Sequence, residues 1–208
     1  SFEREFGKNE LISFLCYTGN LSIDKPDMGF VQFKIPNRVI EELYWQFFAE
    51  VLQQQAELES QSDDIVETIY AMAKFGNYEP FMNLVKKVLK ALSNRDMIQF
   101  NEKYIKMVML SYLIVANNFD VRSEREVRAG YPDIMLLQKH NTIINYEYII
   151  ELKYLKKEQE KELPKMQTEA ANQLRTYIQS EPILQQKQNL ILLAVVVVKD
   201  EVYAERVM

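Results

Sequence analysis

Cysteine, histidine and glycine are scarce in this sequence, and no long hydrophobic run is present. Cys16 is the only cysteine, so no disulfide can form within the chain, which fits a reducing compartment and predicts a cytoplasmic protein. The longest apolar run, Leu190–Val198, is too short to span a membrane, and no signal peptide is visible. Five glycines and six prolines, with a hydrophobic fraction of 48%, exclude a disordered chain and predict a compact globular protein.

Excess positive charge is also absent. The sequence has 25 Lys and Arg against 30 Asp and Glu, a formal net charge of -5. Such a chain does not coat nucleic acid by bulk electrostatics, so any contact with nucleic acid must be local. An ATP-binding loop is missing too, because Phe6-Gly7-Lys8 lacks the upstream glycine and the Ser or Thr of that motif. His140 has no second histidine with which to build a zinc site.

The N-terminal part, residues 1–60, predicts a small winged-helix-like unit. Apolar residues at helical spacing over residues 9–17 precede two short strands, residues 21–24 and 30–34, which are separated by turn-forming residues. Asn37 is a suitable N-cap for a long amphipathic helix. Winged units often bind DNA, but this helix is acidic, so a packing or linker role is the alternative.

A polar stretch that ends near residue 64 marks the predicted domain boundary, and residues 61–208 form the second predicted domain. It opens with a helical hairpin over residues 64–74 and 80–92, and a more apolar helix follows over residues 102–116. Glu102 lies on the apolar face of this third helix, where a carboxylate needs a partner, although an acid in the first turn is also favoured by the helix dipole.

The remaining sequence predicts an α/β core with a mixed sheet. Three strands, a helix and a final hairpin follow each other, over residues 120–128, 134–137, 145–153, 166–178, 189–198 and 201–207. The apolar strand after the helical crossover predicts one parallel pairing within an otherwise antiparallel sheet.

Two acidic residues and a lysine lie at the ends of the central hairpin. Asp133 opens one strand, and Glu151 and Lys153 share one face of the next because side chains alternate along a strand. If the hairpin pairs Asp133 with Glu151, two carboxylates converge beside an ammonium, which suits a hard divalent cation. Each residue also has a structural interpretation, since Pro-Asp is common in turns and strand-end lysines are usually solvated. Glu147 shares the face of Glu151 and is an alternative ligand, although it lies mid-strand, away from the expected metal.

Pro132-Asp133 followed by Glu151-Leu152-Lys153 resembles the signature of the PD-(D/E)XK nuclease superfamily, and the element order from Glu102 onward resembles its restriction-endonuclease-like αβββαβ core. The segment Phe75-Gly76-Asn77-Tyr78-Glu79-Pro80-Phe81 is similar to a helical pair in the C-terminal nuclease domain of bacterial AAA-ATPase-like proteins. The resemblance implies that an AAA-type ATPase module is a partner within a longer protein. Ser1 in place of Met suggests that this chain is a fragment of such a protein.

The resemblance also implies a site. Asp133 and Glu151 would hold Mg²⁺, with Mn²⁺ as a second choice, and Lys153 would position or help to deprotonate the attacking water. Glu102 would orient a water or support a second ion, as the acid that the superfamily carries on this helix.

Gln173 and Tyr177 resemble the polar pair that the superfamily places over its active site. The alternative is a helix that packs on the sheet with Gln173 at its margin. Four lysines nearby would contact phosphates or form a solvated face with the glutamates between them: Lys156, Lys157, Lys161 and Lys165.

We therefore predict an Mg²⁺-dependent deoxyribonuclease that acts on nucleic acid, with DNA as the expected substrate and no membrane partner. The competing hypothesis is a catalytically inactive nuclease-fold module that serves binding or regulation beside an AAA-type ATPase. The intact Asp133, Glu151 and Lys153 favour an enzyme, whereas the net charge and the lack of a strong basic patch favour the alternative.

Overall fold

The computed structural model describes residues 7–27, 30–55, 62–93, 100–123 and 127–207. Contacts within the chain define two compact units, Ser1–Phe47 and Phe48–Met208. This division lies inside a helix, whereas the sequence places a domain boundary near residue 60, so that boundary stays a prediction.

The first unit contains helix α1 (Lys8–Tyr17), the antiparallel strands β1 (Ser22–Asp27) and β2 (Phe30–Lys34), and the beginning of helix α2 (Arg38–Gln55). These elements follow the predicted order. The predicted N-cap of α2 is present, because the Asn37 side chain accepts a hydrogen bond from the Ile40 N–H at 3.1 Å.

The second unit continues with helices α3 (Ser62–Phe75), α4 (Glu79–Ser93) and α5 (Glu102–Val115). Helix α4 is strongly amphipathic and buries seven side chains: Phe81, Met82, Leu84, Val85, Val88, Leu89 and Leu92. Asn101 begins α5, since its side chain accepts a hydrogen bond from the Tyr104 N–H at 2.9 Å.

A five-stranded sheet follows, with the strands adjacent in chain order. Its strands are β3 (Asp120–Ser123), β4 (Ile134–Leu137), β5 (Glu147–Leu155), β6 (Leu190–Val198) and β7 (Glu201–Val207). Strands β5 and β6 pair in parallel and all other neighbours pair antiparallel. The predicted restriction-endonuclease-like core, with one parallel pairing in a mixed sheet, is confirmed.

The connection between β5 and β6 is helical, because parallel neighbours need a long crossover connection, usually a helix. It consists of a 3₁₀ helix (Lys157–Glu162), the long helix α6 (Leu163–Ser180) and the short helix α7 (Pro182–Gln185). Helix α6 begins three residues earlier than predicted because Pro164 lies in its first turn, where a missing N–H costs nothing.

The two faces of the sheet are covered by different helices. On one face Ile149 and Ala194 pack against Ala170 and Leu174 of α6. On the other face Tyr148 packs edge-on against Phe119, and its hydroxyl donates a hydrogen bond to the Met72 carbonyl of α3 at 2.9 Å. Because neighbouring residues of β5 point to opposite faces, Glu151 and Lys153 lie on the α6 side.

Strand β5 begins two residues later than predicted, at Glu147. The N–H groups of Asn145 and Tyr146 both donate to the Ala73 carbonyl at the end of α3, at 2.8 and 3.1 Å, instead of to a neighbouring strand. The strand continues to Leu155 because that residue pairs with Val198 of β6. No helix in the described part of the chain is long and apolar enough to cross a membrane.

Gly76→Ala should destabilise the second unit. Gly76 has a φ of 70°, and an added Cβ would lie 3.1 Å from the Tyr146 ring, so the substitution adds backbone strain and a steric contact. We expect a loss of about 2 kcal/mol or more in urea unfolding. Gly19→Ala is the control, because its φ is 75° but its Cβ would meet no atom within 4 Å. Equal losses in both variants would contradict the role of the Tyr146 contact.

Candidate active site

The register of the β4–β5 hairpin places Asp133 beside Glu151. Ile134 of β4 pairs with Ile150 of β5. The strands are antiparallel, so Asp133, one residue before Ile134, lies opposite Glu151, one residue after Ile150. The Asp133 Oδ2 atom accepts a hydrogen bond from the Leu152 N–H at 2.9 Å. Both acidic residues are buried, with 8% and 3% of their surface exposed. The structure thus brings the two carboxylates together within the sheet.

Lys153 neutralises part of this charge. Its Nζ donates to Glu151 Oε1 at 2.8 Å, and both side chains are largely buried. Burial lowers the pKa of Lys153. The hydrogen bond to Glu151 and the charges of the neighbouring carboxylates together raise it by more than burial lowers it, so the pKa lies above its ordinary value. Lys153 is therefore a cation at neutral pH in the ion-free site.

Glu151 is only partly compensated. Burial raises its pKa, the hydrogen bond from Lys153 lowers it, and the Asp133 and Glu102 carboxylates raise it, with a net rise. Its Oε2 atom is buried and accepts no hydrogen bond from the described residues. A buried carboxylate oxygen without a partner is unfavourable, and it is therefore a donor atom available to a ligand.

Lys106 of α5 is a site residue that the sequence analysis missed. Its Nζ lies 3.2 Å from Asp133 Oδ1, and the residue is 8% exposed. It follows Glu102 by one helical turn, so the two side chains share one helix face. A signal was present in the sequence, because a lysine inside the apolar stretch from Ile105 to Leu113 must be buried with a partner.

Glu102 belongs to the same electrostatic cluster. Its pKa is raised by burial and by the charge of Asp133, while Lys153 and Lys106 lower it, and the net shift is upward. The first-turn position alone would not raise the pKa, since the positive end of the helix dipole favours the ionised form. The structure therefore places Glu102 toward the two carboxylates.

Helix α6 carries Gln173 and Tyr177, of which Tyr177 lies toward the Glu151 and Asp133 carboxylates. The Gln173 Oε1 atom is buried and has no hydrogen-bond partner among the described residues. Burial, the charges of Glu151 and Asp133, and a hydrogen bond from its hydroxyl to Glu151 raise the pKa of Tyr177 to about 12, so the hydroxyl keeps its proton. Both residues line a groove of about 560 Å³ along α6.

Two other candidate residues lie elsewhere. Glu147 begins β5, at the end of the strand away from Lys153, and its two oxygens accept from the Gln138 N–H at 2.8 Å and the Lys187 Nζ at 2.6 Å. Lys187 neutralises Glu147, which agrees with its expected position away from the ion. His140 is exposed.

The donor atoms fit a small, hard cation that keeps part of its water shell. Among the described residues no group of three or more His, Cys, Asp or Glu side chains is close enough to hold a metal ion. Mg²⁺ is commonly bound by one or two carboxylates with water in the remaining positions. Asp133 and Glu151 provide two such carboxylates side by side.

A mixed sheet covered by helices, with two carboxylates and a lysine on its central hairpin, is the arrangement of a restriction-endonuclease-like core. A family model of the PD-(D/E)XK nuclease superfamily matches residues 100–206, more than half of the chain, and the chain belongs to this superfamily. Members of the superfamily are generally nucleases and typically use divalent metals. No curated protein matches the chain. The resemblance to AAA-ATPase-associated proteins stays a prediction.

Glu151→Gln should stabilise the metal-free protein. Because the folded pKa of Glu151 lies above its ordinary value of 4.5, the folded state binds the proton more tightly, and stability falls as pH rises above that value. A neutral Gln removes this dependence, so we expect higher stability at pH 7 in chelator and a flatter stability profile above pH 4.5.

Asp133→Asn is the comparison for Glu151→Gln, since both changes remove one negative charge. It should destabilise the protein, because the Asp133 carboxylate accepts hydrogen bonds from both Lys106 and Leu152. Denaturant unfolding in chelator distinguishes the two. Glu151→Gln with lower stability than the wild type at pH 7 would contradict the inferred cost of the buried Glu151 charge.

Lys106→Met should lower the stability of the metal-free protein and leave Mg²⁺ affinity unchanged or higher. Methionine keeps a long unbranched chain but removes the cation beside Asp133, with an expected loss of about 2 kcal/mol or more. The same change removes a charge that competes with a metal ion for Asp133, whose Oδ2 stays held by Leu152. Unfolding and calorimetric Mg²⁺ titration test both parts, with Lys106→Arg as the control that keeps the charge. Weaker Mg²⁺ binding in Lys106→Met that Lys106→Arg restores would refute the competition.

Proposed function

We propose that this protein is a divalent-metal-dependent nuclease that hydrolyses phosphodiester bonds of DNA. The observation that carries the proposal is the meeting of the buried Asp133 and Glu151 carboxylates beside Lys153. Three carboxylates, those of Glu102, Asp133 and Glu151, share this cluster with the ammonium groups of two lysines. A bound cation would offset the remaining negative charge.

Asp133 and Glu151 would hold the ion. When bound, Mg²⁺ would polarise the phosphoryl oxygen and make water a better nucleophile. The Leu152 N–H keeps the Asp133 carboxylate in place, and the hairpin keeps Glu151 beside it. Glu151 lies on β5 and Asp133 directly precedes β4, so hydrogen bonds hold both carboxylates in place, which favours a fixed geometry at the reacting phosphate.

Lys153 would act as a charged hydrogen-bond donor. Its raised pKa keeps the ammonium protonated, so in the ion-free site it cannot accept a proton from water. It would orient the attacking water and stabilise the negative charge that develops on the phosphate. Of the two roles that the family resemblance implies for Lys153, this is positioning the attacking water and not deprotonating it.

Glu102 would accept the proton of the attacking water. A carboxylate with a raised pKa is a better base than an ordinary one, and burial supplies that rise here. As the water oxygen bonds to phosphorus, one phosphodiester P–O bond breaks and solvent protonates the leaving oxygen. Gln173 and the neutral Tyr177 hydroxyl would hydrogen-bond the substrate from the α6 side of the groove.

DNA as substrate, Mg²⁺ as the ion, an ATPase module as partner and a cytoplasmic location are parts of the proposal that the family membership leaves open. A second candidate function is a nuclease-fold module without activity. The net charge of -5 favours it, because general attraction to a polyanion is absent. Superfamily membership is compatible with both, since a fold by itself does not fix activity.

Lys153→Ala separates the two functions. The lysine makes no bond to the ion in the proposed mechanism, so Mg²⁺ should bind at least as tightly by calorimetric titration, whereas cleavage of supercoiled, linear and single-stranded DNA should fall about a hundredfold or more. Lys187→Ala is the matched control, because Lys187 is also ion-paired to a β5 glutamate but lies away from the site. It should cleave like the wild type. Wild-type protein that cuts no nucleic acid with Mg²⁺ or Mn²⁺ would establish the inactive module.

A further inference from the structure

A second groove opens where the parallel strands β5 and β6 end. It has a volume of about 560 Å³ and is lined by Phe100, Tyr154 and three lysines, Lys156, Lys157 and Lys199, together with Ser93 and Glu158. None of these residues belongs to the candidate active site. Tyr154 follows Lys153 directly and points to the opposite face of the sheet, so the groove begins one residue from the site but on its other side.

The groove is a local positive region on an acidic chain. Its lining has three lysines against the single Glu158, and all four of these side chains are exposed. Asp200 lies nearby, but its Oδ2 accepts a hydrogen bond from the Ser93 hydroxyl at 2.6 Å and is 4.0 Å from the Lys199 Nζ. The ion pair of Lys199 with Asp200 is therefore long, and an anion in the groove would compete with it at little cost.

Two half-buried aromatic rings lie beside these lysines. Phe100 packs against Tyr104 with ring centroids 5.6 Å apart, so its orientation is fixed by its neighbour. Tyr154 is anchored in β5, and burial raises the pKa of its hydroxyl, which keeps the ring neutral. Rings held at a groove wall next to cations are the combination that binds stacked bases and phosphates together.

The backbone at Lys199 supports a role for its side chain. Lys199 has a φ of 57°, in the left-handed region that Gly, Asn and Asp adopt at lower cost. Its N–H donates to the Leu155 carbonyl at 2.9 Å, which holds the turn against the end of β5. The turn would form with glycine at this position at least as well, so the turn does not explain why the residue is a lysine.

We infer that this groove binds a single-stranded segment of nucleic acid, with phosphates on the three lysines and an unpaired base against Tyr154 and Phe100. A duplex is the poorer ligand, because its bases are already stacked and paired and cannot contact the rings. The inference deepens the proposed function, since it selects single-stranded or frayed DNA as the substrate class. Binding, however, is measurable without cleavage.

The test is fluorescence anisotropy of the wild-type protein with a labelled single-stranded oligonucleotide in chelator, where no metal-dependent cleavage occurs. Tyr154→Leu should weaken binding about tenfold, the scale of one lost base stack. Charge reversal at Lys156, Lys157 and Lys199 together should weaken it at least tenfold and lower the salt slope by about 2, since each single-strand phosphate contact contributes about 0.7. Lys74→Glu is the control, because Lys74 lies at the end of α3 and outside the groove lining, and it should change little.

Lys199→Gly separates binding from folding. Glycine relieves the backbone strain, so the thermal midpoint should stay equal or rise while single-strand affinity falls, and Lys199→Arg should restore affinity. Duplex binding as tight as single-strand binding, or groove variants with wild-type affinity, would overturn the inference. Wild-type protein that binds single strands in the groove but cleaves no nucleic acid would refute only the proposed function. Wild-type protein that cleaves nucleic acid, with groove variants that bind single strands as tightly as it does, would refute only the groove.

Discussion

The hydrogen bond from the Leu152 N–H to Asp133 Oδ2 is the contact on which the site depends. It joins the beginning of β4 to the second half of β5 at 2.9 Å, and it fixes which residue of β5 lies beside Asp133. A slip of one residue in this hairpin would turn Glu151 and Lys153 to the opposite face of the sheet. The chemistry of the site is therefore set by strand register.

The same arrangement creates an electrostatic problem that the protein solves with two lysines. Asp133 and Glu151 are both buried, and each has one close ammonium, from Lys106 of α5 and Lys153 of β5. Breaking a buried pair leaves an uncompensated charge, so these lysines stabilise the ion-free fold. The compensation is incomplete at Glu151, whose pKa is raised chiefly by burial and whose Oε2 has no partner in the described residues. The uncompensated charge at Glu151 thus lowers the stability of the metal-free protein and raises its affinity for a cation.

Much of the fold could be predicted because its elements are locally encoded. Period-2 alternation places Glu151 and Lys153 on one face of β5 wherever the strand lies, and the apolar β6 predicts a buried parallel neighbour. The boundaries of β5 could not be predicted in this way. Its first residue is set by the Ala73 carbonyl, which takes the N–H groups of Asn145 and Tyr146, and its last by the partner Val198. Both constraints come from chain segments far away in sequence.

The sequence by itself determined the superfamily, the order of the core elements and the spacing of Asp133, Glu151 and Lys153, because motifs and side-chain periodicity depend only on neighbouring residues. Only the tertiary structure decided which charged groups meet. Lys106 reaches Asp133 across 27 residues, and Lys187 reaches Glu147 across 40, which removes Glu147 from the candidate ligands. Which buried charges pair depends on their distance and burial after the chain has packed. A local sequence pattern predicts neither quantity.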